Sequence, residues 1–123
     1  MAKKILLIDD EPLQLKIVKN SLNSKKYEFV TASDGEEGID KVISENPDLI
    51  IVDLIMPKKD GFEFCKALRD RPETSGTPII MLSGFEADKF NERANFFGAD
   101  TLLKKPFDLS EFKRTVKEAL RNI

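Results

Sequence analysis

Leu49-Ile50-Ile51-Val52-Asp53 decides the fold of this chain. Four apolar residues in a row, rich in β-branched side chains, are too short for a helix and have no polar face. A strand buried on both faces fits them, and such strands belong to parallel sheets covered by helices. The run ends on a carboxylate, and the same design recurs along the chain. Ile5-Leu6-Leu7-Ile8 runs into Asp9-Asp10, Ile79-Ile80-Met81-Leu82 into Ser83, and Leu102-Leu103 into Lys104-Lys105-Pro106. Tyr27-Glu28-Phe29-Val30 alternates instead, which suits a strand nearer an edge.

Between these runs the periodicity turns helical. Pro12 stands where a first helical turn accepts proline, and Leu15, Val18 and Leu22 share a face. Asp34 is placed to cap a second helix with Ile39, Val42 and Ile43 on its apolar side. Gly61 to Leu68 opens a third helix, stopped by Pro72, and Glu86 to Phe97 a fourth, closed by Gly98. Asp108 and Glu111 have capping-box spacing ahead of Phe112, Val116, Leu120 and Ile123. Lys117 and Arg121 suit the C-terminal dipole of that last helix. Five βα units with short connections predict a doubly wound, five-stranded parallel α/β sheet with five helices on its two faces. We expect residues 1–123 to form one domain.

Composition narrows the function. The chain has 123 residues, 41% apolar and 34% charged, and a net charge of −2, which disfavours nucleic acid or an anionic membrane as the main partner. No apolar run reaches the ~18 residues of a membrane span, and no signal-peptide pattern stands at the start. One cysteine, Cys65, excludes an internal disulfide framework and fits a reducing cytoplasm. We expect it to be half-buried in the core rather than a redox sensor. There is no histidine, so nucleophile–histidine pairs and histidine-ligated zinc are excluded. A bound metal must sit on oxygen ligands.

Asp9, Asp10, Asp53, Ser83 and Lys105 all fall at the carboxyl ends of apolar strands, the edge where open α/β sheets bind ligands. Each alone has a plain structural explanation: a helix cap, a loop serine, a solvated lysine. Together, on strands one, three, four and five, they point to a site. Two carboxylates ~4 Å apart repel by about 4 kcal/mol at an effective dielectric near 20, so three need a cation or raised pKa values. Magnesium suits such a cluster, because it binds through one or two carboxylates and takes phosphate oxygens. Asp53 can then act as a carboxylate nucleophile toward phosphorus, with Lys105 as a second positive charge and Ser83 as a hydroxyl donor.

These motifs resemble the receiver domains of bacterial two-component response regulators. The resemblance rests on Ile8-Asp9-Asp10-Glu11-Pro12, Val52-Asp53-Leu54-Ile55-Met56-Pro57 with Asp60-Gly61, Leu82-Ser83-Gly84 and Lys105-Pro106-Phe107, and covers essentially the whole chain. It implies the flavodoxin-like strand order 2-1-3-4-5 known from chemotaxis receivers. It further implies that Asp53 takes a phosphoryl group from a phosphohistidine on a sensor histidine kinase or histidine phosphotransfer protein. Asp10 would touch magnesium directly and Asp9 through water, with the backbone carbonyl of Ile55 as another ligand. Backbone N–H groups of Leu54 and Gly84 would hold phosphoryl oxygens. The Lys105–Pro106 peptide is cis in the family. Output would pass to a target protein or an effector domain, from a monomer or a dimer formed on phosphorylation.

The chain departs from the family at Leu102, where an aromatic usually couples to the hydroxyl residue. That leaves the loop at Gly84 and Phe85 and the fourth helix, with Phe90 on its output face, as the expected route of signalling. Ile55 and Phe85 flank the approach of a hydrolytic water. Both are apolar, so slow loss of the phosphoryl group is expected. The competing reading is a phosphatase-type enzyme that also forms an aspartyl-phosphate. Such enzymes place a second acid two residues after the nucleophile, where this chain has Ile55. A flavin carrier of the same topology is disfavoured by Asp10-Glu11-Pro12, which would repel the flavin phosphate.

Overall fold

In the computed structural model, the described residues are 2–22, 25–54, 60–83, 99–105 and 108–121. They form five strands: β1 (Lys3–Ile8), β2 (Tyr27–Ala32), β3 (Leu49–Asp53), β4 (Ile79–Ser83) and β5 (Thr101–Lys104). Four helices accompany them: α1 (Pro12–Ser21), α2 (Gly35–Glu45), α3 (Gly61–Arg69) and α4 (Leu109–Arg121). The strands are all parallel in the order β2-β1-β3-β4-β5, as the sequence implied. The helix expected over Glu86–Phe97, with Phe90, and the Lys105–Pro106 peptide lie outside the described residues.

Side chains alternate across each strand, so every buried run feeds two cores. Leu6, Ile8, Ile50, Val52, Ile79 and Met81 point to one face and pack with Val42 of α2 and Phe62, Phe64, Cys65 and Leu68 of α3. Ile5, Leu7, Leu49, Ile51, Ile80 and Leu82 point to the other, against Val18 of α1 and Phe112, Val116 and Leu120 of α4. That is why these strands show no polar alternation. β2, at the edge, does show it.

Helix starts follow local chemistry. Asp34 accepts a hydrogen bond from the Glu37 N–H at 2.8 Å, and the Glu37 carboxylate accepts from the Ser33 N–H and hydroxyl, which hold it below the usual carboxylate range. Asp60 and Glu63 close a reciprocal capping box on α3. Asp108 accepts from the N–H groups of Ser110 and Glu111, which supplies its half of the expected box on α4.

Two expectations need correction. Ile43 is 52% exposed rather than part of the apolar side of α2. The helix meets the sheet through Gly35, Gly38 and Val42 instead. A Cβ on Gly38 would lie 2.6 Å from Ile8 Cδ1, so the helix sits close at a residue that hydrophobic periodicity does not count. Cys65 is fully buried, not half-buried, and burial pushes its thiol up to about 12.

Candidate functional site

β1 leaves its ladder at Asp9, whose N–H still reaches Ala32 O at 3.1 Å. The Asp9 carboxylate then accepts from the Glu11 N–H at 3.0 Å, a local turn that points the chain into α1. The N-cap of α1 is Glu11, which makes no side-chain cap, so neither Asp9 nor Asp10 is a capping residue. Asp53 is not one either, since Asp60 caps α3.

Asp9, Asp10 and Asp53 each bring a carboxylate oxygen to within 4.8 Å of the others. Their surroundings differ: Asp9 is buried, Asp53 half-buried and Asp10 exposed. Lys105, on the next residue after β5, donates from Nζ to Asp53 Oδ1 at 3.2 Å. Burial pushes the Asp9 carboxyl up to about 6. The charges of Asp53 and Asp10 add to the rise, while the Glu11 N–H and Lys105 oppose it. Among the described residues one ammonium thus faces three carboxylates, and burial together with the neighbouring charges disfavours ionisation of Asp9. An all-oxygen cluster of this size is a fitting seat for a hard divalent cation, which would favour the ionised carboxylates.

Ser83 ends β4 and is buried, and its carbonyl accepts from the Lys105 N–H, so the serine and the lysine are fixed to one another through the backbone. Leu102 is half-buried against the α2–α3 core. Of the other expected site residues, Ile55, Gly84 and Phe85 lie outside the described residues.

The expected role of the Leu54 N–H needs correction. It donates to Leu82 O at 2.8 Å, because β3–β4 pairing continues one residue past Asp53. It is therefore committed to the sheet rather than presented to a ligand.

Gly61 was legible only as a helix start, and the structure gives it a second part. Its N–H donates to Leu54 O at 2.8 Å, and a Cβ there would lie 2.9 Å from Leu54 Cα and 3.1 Å from Asp53 O. Only glycine lets α3 rest directly on the backbone that carries Asp53. The available signal was its identity: glycine is used where a backbone must approach closely.

A five-stranded doubly wound sheet with an aspartate cluster and a lysine at its carboxyl edge defines a receiver-type module. The family model for the response regulator receiver domain matches residues 5–117, and the chain belongs to that family. It is 40% identical over 121 residues to the alkaline phosphatase synthesis transcriptional regulatory protein PhoP of Bacillus subtilis, which covers 98% of this chain and 50% of that protein. Among solved structures, a response regulator from Chloroflexus aurantiacus superposes with a TM-score of 0.93 at 30% identity, over 98% of this chain and 99% of that one. The chemotaxis protein CheY4 of Vibrio cholerae superposes with a TM-score of 0.89 at 33% identity, over 98% of this chain and 100% of that one. The chain spans about half the length of the curated relatives it matches.

The chain is thus a receiver domain of two-component signal transduction. Receiver domains bind magnesium at an acidic aspartate cluster, and this chain groups three such carboxylates. No helix among the described residues is long and apolar enough to cross a membrane.

Proposed function

We propose that residues 1–123 act as one magnesium-dependent phosphoacceptor domain in which Asp53 is the acceptor. The observation that carries this is the convergence of Asp9, Asp10 and Asp53 within 4.8 Å, with Lys105 Nζ on Asp53 Oδ1. A carboxylate oxygen of Asp53 attacks the phosphorus of a phosphohistidine on a sensor kinase or phosphotransfer protein. The P–N bond breaks, and its electron pair leaves on the imidazole nitrogen. Lys105 gives up part of its hold on Asp53 to a phosphoryl oxygen, and the Ser83 hydroxyl donates to another. Asp9, Asp10, Asp53 and the carbonyl of Ile55 would hold magnesium, which offsets the charge of the carboxylates and of the incoming group. The Gly84 N–H completes the set of donors.

The partner needs a place to sit. Leu13 and Ile17 of α1 are 68% and 49% exposed one turn apart, and Leu109 at the start of α4 is 48% exposed. Both helices begin at the carboxyl edge of the sheet, so these exposed apolar side chains are offered to a partner helix that carries the histidine. The domain catalyses only its own phosphorylation and dephosphorylation, acts in the cytoplasm and signals through a target protein or an effector domain.

The test is incubation with acetyl phosphate and magnesium, followed by peptide mass spectrometry. One hydroxylamine-labile phosphoryl group on the peptide with Asp53 is expected, and a label elsewhere or none sinks the assignment. Ile55 and Phe85 are apolar, so neither side chain can hydrogen-bond and orient a water. Ile55→Asn with Phe85→Glu should therefore shorten the lifetime of the phosphorylated form; equal decay in wild type and double variant removes water access as the control.

A further inference from the structure

The far end of α4 carries charge that the phosphoryl site does not use. At about 100° per residue, Lys113, Arg114, Lys117 and Arg121 fall within roughly 100° of arc. Phe112, Val116 and Leu120 face the core, while Glu111 and Glu118 lie together on a third side. The basic arc lines two adjoining cavities between α1, the start of β2 and α4. The larger, about 510 Å³, is bounded by Lys26, Tyr27, Lys113, Arg114 and Lys117. The smaller, about 380 Å³, shares Lys26, Tyr27 and Lys117 and adds Lys3 and Arg121. Lys3 and Lys26 are adjacent, since the Lys3 N–H donates to Lys26 O at 2.8 Å. Among the described residues no carboxylate lines either cavity. Lys3 and Asp9 stand at opposite ends of β1, about 20 Å apart at ~3.3 Å per residue, so these cations are not part of the carboxylate cluster.

We propose that this groove docks an acidic, extended segment of a partner protein. Six cations converge on one concave face of a chain whose net charge is −2, so the rest of its surface is acidic. A narrow acidic segment meets the groove alone. A nucleic-acid duplex, with one charge per ~1.7 Å of axis, would also be pressed against that acidic remainder. From Lys113 to Arg121 the helix rises about 12 Å, too far for one small anion to span and about right for four extended residues. The half-buried Tyr27 ring, backed by the edges of the buried Leu22 and Leu120, gives the groove an apolar patch, so the segment should carry an apolar side chain among its acids. Docking here leaves the carboxyl edge open, so output and phosphotransfer partners can bind together.

The test is a titration, by fluorescence anisotropy, of a fluorescein-labelled nonapeptide of aspartate and glutamate around a central leucine. The 123-residue chain should bind it, more weakly as salt rises. Lys113→Glu with Lys117→Glu should weaken binding by roughly tenfold. Lys113→Gln with Lys117→Gln should weaken it less, and Glu111→Gln with Glu118→Gln not at all. These side chains are exposed, so thermal unfolding of each variant should match wild type. No binding at low salt, or equal affinity in the charge-reversed variant, overturns the proposal. So does tighter binding of a labelled DNA duplex that is lost in the same variant, which would make the groove a nucleic-acid site.

Discussion

Two acid–base clusters stand at opposite ends of the sheet, and they are built on opposite plans. At the strand starts, Arg69 Nη2 meets Asp100 Oδ2 at 3.0 Å, and Nη1 donates to the carbonyls of Thr74, Ser75 and Thr77. The same Asp100 oxygen accepts from the Ile79 N–H at 2.7 Å. One guanidinium and one carboxylate thus tie the 70–77 loop, β4 and β5 together with their donors and acceptors matched. At the carboxyl ends, three carboxylates share one lysine among the described residues, and burial raises Asp9 to about 6. A balanced cluster holds chain segments in place. An unbalanced one stores a demand for positive charge, which a cation can meet. Perturbed carboxyls of the second kind are where function is expected.

The sharpest way to break this contrast is to remove one acid from each end. Asp53→Asn should abolish acetyl-phosphate labelling while thermal unfolding stays cooperative. Asp100→Ala should keep the labelling and lose stability. If both variants lose labelling equally in their folded form, the two clusters are not separable.

Next in size is Asp9, where the sign follows from its raised pKa. A carboxyl raised from 3.8 to about 6 keeps its proton longer folded than unfolded. Its stabilising contribution is therefore complete below the lower value and lost as pH rises through the upper one. In EDTA, Asp9→Asn should unfold at higher denaturant than wild type above pH 6, by about 3 kcal/mol, with the gap closing toward pH 4. A constant gap across that range would mean that the ionised carboxyl is not the source.

Asp100→Ala comes third, at about 1–2 kcal/mol by urea unfolding. The side chain is 56% exposed, so most of the loss comes from the Ile79 N–H left without its acceptor rather than from the ion pair. Magnesium binding is the smallest effect. At three times Kd it should stabilise wild type by about 0.8 kcal/mol, read as a rise in Tm, and Asp10→Asn should remove most of that rise. No rise with magnesium in wild type would remove the cation from the account.

What could be read in advance divides along the same line. The grouping of Asp9, Asp10, Asp53, Ser83 and Lys105 at one edge was legible because each lies within two residues of the end of an apolar run, and parallel topology carries all such positions to one edge. Arg69 and Asp100 were not, because they are 31 residues apart and neither ends a recognisable strand. Their partnership exists only after β4 and β5 pair. Leu54 was misjudged for a related reason: the ladder runs one residue past the apolar stretch, and nothing in Val52-Asp53-Leu54 marks where pairing stops. Ile43 was misplaced because periodicity weighs side chains, while the centre of the buried face of α2 is Gly38, which has none.

Leu54 sits in a short relay of peptide groups, its N–H on Leu82 O and its own carbonyl on Gly61 N–H. Seen as a mechanical linkage, the residue after the proposed acceptor is bolted at both ends, to β4 on one side and to the first turn of α3 on the other. A load applied at Asp53 cannot be dissipated by recoil of its own strand. It is carried to the neighbouring strand and helix, so amide protons at Leu54 and Gly61 are the natural gauges of that load in a hydrogen-exchange record taken with and without the phosphoryl group.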